Sequence, residues 1–524
     1  MHISPNVGST TSILFDLKPA LDGYAGIPQE TRLLFRGLRS LSSCDVTGLI
    51  QHGARRLRSG SATARSSNPR AYQINRSSRI VVALRDMPAA SPGEADVQVL
   101  APGTKSANSN VGLNSVLHAV GLFLLLQSAQ LGDRLGRRLE PTPFASELFD
   151  DFVWRTFFSK TLKSADKSLV TSSRFQTLSV SRKRLHQVGL AGRRWSRTPR
   201  YLSINTHGSD VLLAQTPFPA RVSDGTQLVI RYHDTIPIFF PHTINDSVFH
   251  QASHYYALQD NVRAGAWFSC VSESTRRDLL TVFPEAEART SVIHNMVSDD
   301  YFDELSASAY VPQILRSRRA QSRAVTADLS SLEPALRGSD TGFDYLLMVS
   351  TIEPRKNHLL LTAAWERLKY NAMPRLKLVV VGSQGWASAS VLDVFRPWIE
   401  LGDLFYLNNV PSAELRVLYR HAAATVCPSL AEGFDYSGIE AMRSGGVVIA
   451  SGIPVHREIY GDASAYFDPY SAEDAAAVIG NVLSGESLGL REQLRVAGAR
   501  VAARYTSEHL LSQWEGFFHE LKKS

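Results

Sequence analysis

Five short runs in the second half of the chain are almost uninterruptedly apolar: DYLLMVS (344–350), LKLVVVG (376–382), LFYLNNV (404–410), AATVCPS (423–429) and GVVIASG (446–452). Each is shorter than an ordinary helix and several are rich in β-branched residues, the pattern of strands buried on both faces of a parallel sheet. The stretches 357–369, 412–420 and 436–443 between them have helical character. The order β-α-β-α predicts a doubly wound sheet.

The first half repeats the style less cleanly. TSILFDL (11–17), TQLVIRYHD (226–234), AWFSCVS (266–272) and TSVIHNM (290–296) read as strands, and Ser272 is placed to cap a helix over ESTRRDLLTVF. A second α/β domain is predicted. The regions 50–110 and 140–200 resist the pattern and are read as insertions in that domain. The segment 312–342, which contains LRSRRAQSRAVTADLSSLEPALRGSD, mixes charge with Ser and Ala and reads as a linker. The domains are then 1–311, 343–505 and a C-terminal helix in 506–524.

A chain of 524 residues is long enough for two or three domains. Its 44% hydrophobic and 20% charged residues exclude wholesale disorder and fibrous classes. The longest apolar run, Val116 to Leu126, is about half a bilayer long and is read as a buried helix. The N-terminal MHISPNVGSTTS lacks a basic region followed by an apolar core, so a cytoplasmic location is expected. Cys44, Cys270 and Cys427 have neither disulfide-framework nor zinc-site spacing.

The net charge of +7 is concentrated in two acid-free segments. One, within 51–80, holds Arg55, Arg56, Arg58, Arg65, Arg70, Arg76 and Arg79. The other, 181–200, holds Arg182, Lys183, Arg184, Arg193, Arg194, Arg197 and Arg200 around Trp195. Such segments suit an anionic membrane surface, a diphosphate-bearing substrate or a solvated face. With no helix-turn-helix, RNP or zinc-finger pattern nearby, nucleic acid is disfavoured.

Ligands of open α/β sheets bind beyond the carboxyl ends of the strands. TIEPRKNH follows DYLLMVS and sets Arg355 and Lys356 at a strand mouth, two cations suited to a diphosphate. SLAEGFDYSGIEAMRSGG follows AATVCPS, with Glu432 in the loop and Glu440 inside the next helix. Two carboxylates facing one cleft suit a polyhydroxylated ligand. Gly433 and Gly438 would let backbone approach that ligand, and the helix start can receive phosphate.

VSTIEPRKNH, LVVVGSQGW and SLAEGFDYSGIEAMRSGGVVIAS followed by EIYGDASAYFDP resemble the retaining, nucleotide-sugar-dependent glycosyltransferases of the GT-B fold that carry the E-x7-E signature (glycosyltransferase family 4, group 1). The resemblance covers 345–484 well. It covers LFDLKPALDGYAGIPQETRLL (14–34), RYHDTIP (231–237), SCVSESTRRDL (269–279) and VIHNMV (292–297) more thinly. It implies two Rossmann-like domains facing each other across a cleft, with a helix over 507–522 crossing back to the first.

The resemblance also implies roles. Arg355 and Lys356 would bind the donor diphosphate and stabilise the leaving group, Glu440 would hold the ribose, and Glu432 would touch the donor sugar. The amides around Tyr436, Ser437 and Gly438 would help hold sugar or phosphate. Gly26 would belong to the glycine loop, and His233, beside Asp234, would face the reacting sugar. Arg355, Lys356, Glu432 and His233 are thus the expected catalytic set.

Pro28, Thr351 and Asp435 stand where the family commonly has Gly, Arg and Gly. No cofactor is expected, and without an Asp-x-Asp motif no metal is expected either. The implied activity is transfer of a hexosyl group, with mannosyl as one candidate, to a growing surface glycan or lipid-linked saccharide. The enzyme would be peripheral on the inner face of the membrane. The rival reading is a non-catalytic nucleic-acid- or membrane-binding scaffold on the same fold.

Overall fold

The computed structural model describes residues 10–24, 26–53, 69–85, 127–191, 193, 198–323, 343–484 and 488–523. The apolar run Val116 to Leu126, Arg55, Arg56, Arg58, Arg65, Arg194, Trp195 and Arg197 lie outside the described residues.

Among the described residues the first domain has ten strands: β1 (Thr11–Asp16), β2 (Cys44–Gln51), β3 (Thr142–Phe144), β4 (Arg174–Leu178), β5 (Leu202–Ser203), β6 (Val211–Ala214), β7 (Ala220–Arg221), β8 (Gln227–Tyr232), β9 (Trp267–Cys270) and β10 (Thr290–Val292). Eight form one sheet in the order β10-β9-β8-β6-β1-β2-β4-β3, and β5 pairs with β7 separately. The large sheet is parallel except for β3, which runs antiparallel to β4 at the edge.

β3 and β4 correct the reading of 140–200 as an insertion, because they extend the main sheet. Their signal is weak for a physical reason. β4 alternates polar and apolar residues, and β3 carries Pro143, which only an edge strand tolerates.

The second domain has β11 (Tyr345–Val349), β12 (Lys377–Val381), β13 (Leu404–Leu407), β14 (Ala424–Cys427), β15 (Val448–Ser451) and β16 (Ser464–Phe467). All are parallel, in the order β13-β12-β11-β14-β15-β16. Numbered within the domain this is 3-2-1-4-5-6, the doubly wound order whose switch point lies between its first and fourth strands, here β11 and β14. The two sheets present their carboxyl ends to each other, the GT-B arrangement.

Residues Tyr310–Arg323, which run from the end of the first domain as read into the segment read as a linker, form a helix. Val311, Ile314 and Leu315 recur at helical spacing and are buried in the second domain's core, which holds that turn of chain in place. The helix Ser507–Lys523 packs Leu510, Leu511, Trp514, Phe517, Phe518 and Leu521 into the first domain's core with Ile13, Phe15 and Phe35. Gly37 sits where a side chain would collide with Leu511, so the helix Ile27–Ser40 and the last helix touch closely. No helix among the described residues is long and apolar enough to cross a membrane.

Candidate active site

The chain leaves β11 into a single 3-10 turn, Pro354–Lys356, and Asn357 takes a left-handed conformation to start the helix His358–Asn371. That geometry holds Arg355 and Lys356 at the strand mouth. Glu432 comes from the loop after the adjacent strand β14, and its carboxylate bridges both cations. Arg355 donates to one oxygen at 2.8 Å and Lys356 Nζ to the other. Arg355 also pairs with Glu353 at 2.8 Å.

Burial alone would raise the Glu432 carboxyl, but the adjacent Arg355 and Lys356 outweigh it and hold it below the usual carboxylate range. Burial likewise opposes the charge on Arg355. Glu432, Glu353 and Asp234 more than compensate, so the guanidinium stays cationic.

Asp435 precedes the helix Tyr436–Arg443 at φ 61°, a backbone that glycine adopts without strain. Its carboxylate accepts from the Ser437 hydroxyl at 2.7 Å and from the Ser437 amide at 3.3 Å. It thereby caps the helix start that the sequence assigned to sugar or phosphate. The other oxygen meets His456 Nε2 at 3.1 Å. His456 Nδ1 faces the carbonyl of Ser451 at 3.0 Å, so both ring nitrogens lie against acceptors.

Glu440 lies deeper, one turn into the same helix. It accepts from Gln29 of the first domain at 2.9 Å and from Tyr419 at 3.1 Å. Burial pushes its carboxyl up to about 7 despite these donors. Glu432 and Glu440 therefore have distinct surroundings, one inside a cation pair and one inside a neutral hydrogen-bond set.

The two glycines serve protein packing. A Cβ on Gly433 would lie 1.8 Å from the carbonyl oxygen of His233, across the cleft, and one on Gly438 would lie 2.3 Å from the Tyr460 ring. Gly26 has φ 68° and open space around it, and it starts the helix Ile27–Ser40 with Pro28 in the first turn. His233 follows β8. Its Nε2 stands 3.4 Å from Gln215 Oε1, and burial, with Arg231 nearby, holds the imidazole neutral.

Tyr436 reaches the first domain, donating to Glu30 at 2.9 Å. Glu30 pairs with Arg231 at 3.0 Å, both fully buried. Arg231 also donates to Ser269, Asn295 and the carbonyls of Ile293 and His294. Farther along the cleft, Glu458 accepts from the amides of Glu273 and Ser274, at the start of the helix Glu273–Val282. Sequence reasoning missed Gln29, Glu30, Arg231, Tyr419, His456 and Glu458. A signal existed for one of them: Arg231 is a charge inside a strand otherwise buried and mostly apolar.

Among the described residues no group of three or more His, Cys, Asp or Glu converges so as to hold a metal.

Residues 333–501 match the family described as glycosyl transferases group 1. The chain is 31% identical over 169 residues to O-antigen chain mannosyltransferase B of Escherichia coli, covering 32% of this chain and 44% of that protein. It is 35% identical over 134 residues to serotype-specific mannosyltransferase WbdA of Escherichia coli, covering 25% and 16%. It is 39% identical over 85 residues to O-antigen chain mannosyltransferase RfbU of Salmonella typhimurium, covering 16% and 24%. The matches span less than half the length of each of these relatives. The match to glycosyl transferases group 1 falls on the second domain.

Proposed function

We propose that the protein is a glycosyltransferase that moves a hexosyl group, mannosyl by analogy with the names of its relatives, from a nucleoside diphosphate donor to a growing cell-surface glycan. One observation carries this reading. Arg355 and Lys356 stand together at the switch point of a 3-2-1-4-5-6 sheet, held by Glu432 and facing the other domain.

In this reading the donor diphosphate engages Arg355 and Lys356 in competition with Glu432, which then becomes available to the hydroxyls of the donor sugar. The two cations stabilise the charge that develops as the nucleoside diphosphate departs, the step at which fixed charge lowers a barrier most. Glu440, with Gln29 and Tyr419 around it, would receive the ribose. His233, held neutral, would face the reacting sugar with its ring while its backbone carbonyl meets Gly433. Retention through a front-face, oxocarbenium-like transition state, independence from metal and attachment to the inner face of the membrane complete the proposal; these rest on the family resemblance and charge placement. No protein nucleophile is assigned.

The test is release of UDP, GDP or TDP from a panel of nucleotide sugars, with and without a mannose-containing glycan acceptor. Acceptor-stimulated release from one donor supports the reading. No release from any donor, with an intact fold, overturns it.

A further inference from the structure

The chain from Lys18 to Gly26 leads into the helix Ile27–Ser40. Ile27 lines the same cavity as Arg355 and His233, and Gln29 bonds Glu440, so this loop ends beside the site built on Arg355 and Lys356. Two cations hold it from behind. Arg32, one turn into the helix, is completely buried. Its Nε donates to the Phe157 carbonyl at 2.9 Å and Nη1 to the Thr161 hydroxyl at 2.9 Å. Its Nη2 meets three loop carbonyls, those of Ala20, Asp22 and Gly23, at 2.8, 2.7 and 2.8 Å. Lys160 Nζ lies 3.2 Å from the Leu21 carbonyl and 3.3 Å from that of Asp22.

Neither cation forms an ion pair with a described residue. The carboxylate that acts on both, Asp22, is itself paired with Lys18 at 3.4 Å. Three cations, Lys18, Arg32 and Lys160, thus surround one anion, whereas Arg355 and Lys356 are matched by Glu353 and Glu432. Burial lowers the Arg32 guanidinium to about 10, which leaves it charged at neutral pH. A buried charge without a counter-ion is costly unless its donors are met, and here loop carbonyls, one further carbonyl and a hydroxyl meet them.

This arrangement orients the loop. No peptide bond among the described residues is cis, and in a trans peptide the carbonyl and the following N–H point in opposite directions. With the carbonyls of Asp22 and Gly23 turned in toward the cations, the amides of Gly23 and Tyr24 turn out, at two exposed residues. Outward N–H dipoles backed by positive charge add to that charge, so the loop presents positive potential through its backbone.

We propose that Arg32 and Lys160 are positioning residues of the transfer reaction: they fix the loop Lys18–Gly26 with N–H groups outward and supply the unmatched positive charge that draws the donor diphosphate to the first-domain side of the cleft. The proposal rests on the glycosyltransferase reading. The two domains then divide the work. Arg355 and Lys356 touch the diphosphate, while Arg32 and Lys160 act on it through the loop backbone.

Binding of UDP, GDP, TDP and inorganic pyrophosphate to the full chain is measured by titration calorimetry at low and high salt. Lys160→Met should weaken the bound nucleotide about 3- to 10-fold at low salt, the effect of one charge acting across a partly screened gap, and less at high salt. Lys160→Arg, which keeps the charge, should restore wild-type affinity. Lys160 is only partly buried, so both variants should melt near wild type. Arg32→Lys keeps the charge but cannot reach Phe157, Thr161 and three loop carbonyls at once; it should lower kcat at least about 10-fold while changing nucleotide affinity less than about 3-fold.

Nucleotide binding indifferent to Lys160→Met, a loss that salt does not alter, or no recovery in Lys160→Arg would overturn the proposal and leave the donor reading standing. A folded Arg32→Lys chain with wild-type kcat would overturn it as well, and if that variant fails to fold, the Lys160 pair decides. Pyrophosphate binding that depends on Lys160 in a chain that binds no nucleotide would uphold the charged loop and defeat the donor reading.

Discussion

Replacing Gly433 by alanine tests whether apposition of the two domains, and not the ion cluster alone, makes the site work. The added Cβ would lie 1.8 Å from the His233 carbonyl oxygen, 2.9 Å from its carbon and 3.3 Å from Asp234 Cβ, against a practical limit of 3.0 Å. The gap between 1.8 and 3.0 Å requires the facing loops to separate by about 1.2 Å. The nearest obstacle is backbone, so no rotamer change relieves it. Thr275, whose hydroxyl lies 3.3 Å from the His233 carbonyl and 3.5 Å from that of Gly433, would lose its bridging position.

Misplacement by about 1 Å between reacting groups can cost on the order of 100-fold in rate, which corresponds to about 2.7 kcal/mol of barrier. We therefore expect Gly433→Ala to lower kcat/KM about 100-fold, measured as acceptor-dependent nucleoside diphosphate release. The melting temperature should stay near wild type because neither core is touched. Gly438→Ala is the contrasting control. Its Cβ would meet the fully buried Tyr460 ring within one domain, so it should cost about 1–3 kcal/mol of stability by overpacking. A Gly433→Ala enzyme with more than half the wild-type kcat/KM would refute the reasoning, as would a loss explained wholly by unfolding.

Lys356→Ala should lower turnover more than it weakens nucleoside diphosphate binding, since its charge matters most as the leaving group departs; unchanged kcat would remove its assignment. Activity should survive EDTA, and complete loss restored by Mg²⁺ or Mn²⁺ would show metal dependence. Arg231→Met should destabilise by about 3–5 kcal/mol in chemical denaturation, because Glu30 is left buried and unpaired, and Glu30→Gln in the same chain should recover part of it; additive losses would contradict this. Glu440 has its carboxyl pushed by burial from 4.5 up to about 7, so the folded chain holds an extra proton between those values and the group's contribution to stability falls as pH rises through that window. Glu440→Gln should flatten that slope between pH 5 and 7, and an unaltered slope would assign the dependence elsewhere.

Strands β11 to β15 were legible because parallel strands covered on both faces carry nearly uninterrupted apolar runs, as in KLVVV of β12, whereas β16, SAYF, was not read as a strand. The same physics hid β2, CDVTGLIQ, whose polar residues interrupt the run. In the helix Tyr310–Arg323 the apolar spacing of Val311, Ile314 and Leu315 was present in the sequence but masked by a surrounding excess of arginine. Arg355, Lys356, Glu432 and Glu440 could be named from strand-mouth position and family resemblance. Gln29 and Glu458 could not, because their significance depends on which residue of the other domain stands opposite, and local sequence does not encode that distance. Asp435 was visible as a departure from glycine. Its partnership with His456, 21 positions away, was not.

The helix Ser507–Lys523 has a consequence for how the protein is made. Trp514, Phe517 and Phe518 fill the first domain's core, and Arg231 packs over the Trp514 ring at 5.3 Å. Yet they are synthesised only after the whole second domain. Domains usually fold in the order they emerge. Here the earlier domain must wait with an open apolar face while the later one is completed, which makes that interval its period of greatest exposure to aggregation. Released by itself, the second domain would be the easier piece to isolate, and the first would need this distant helix supplied with it.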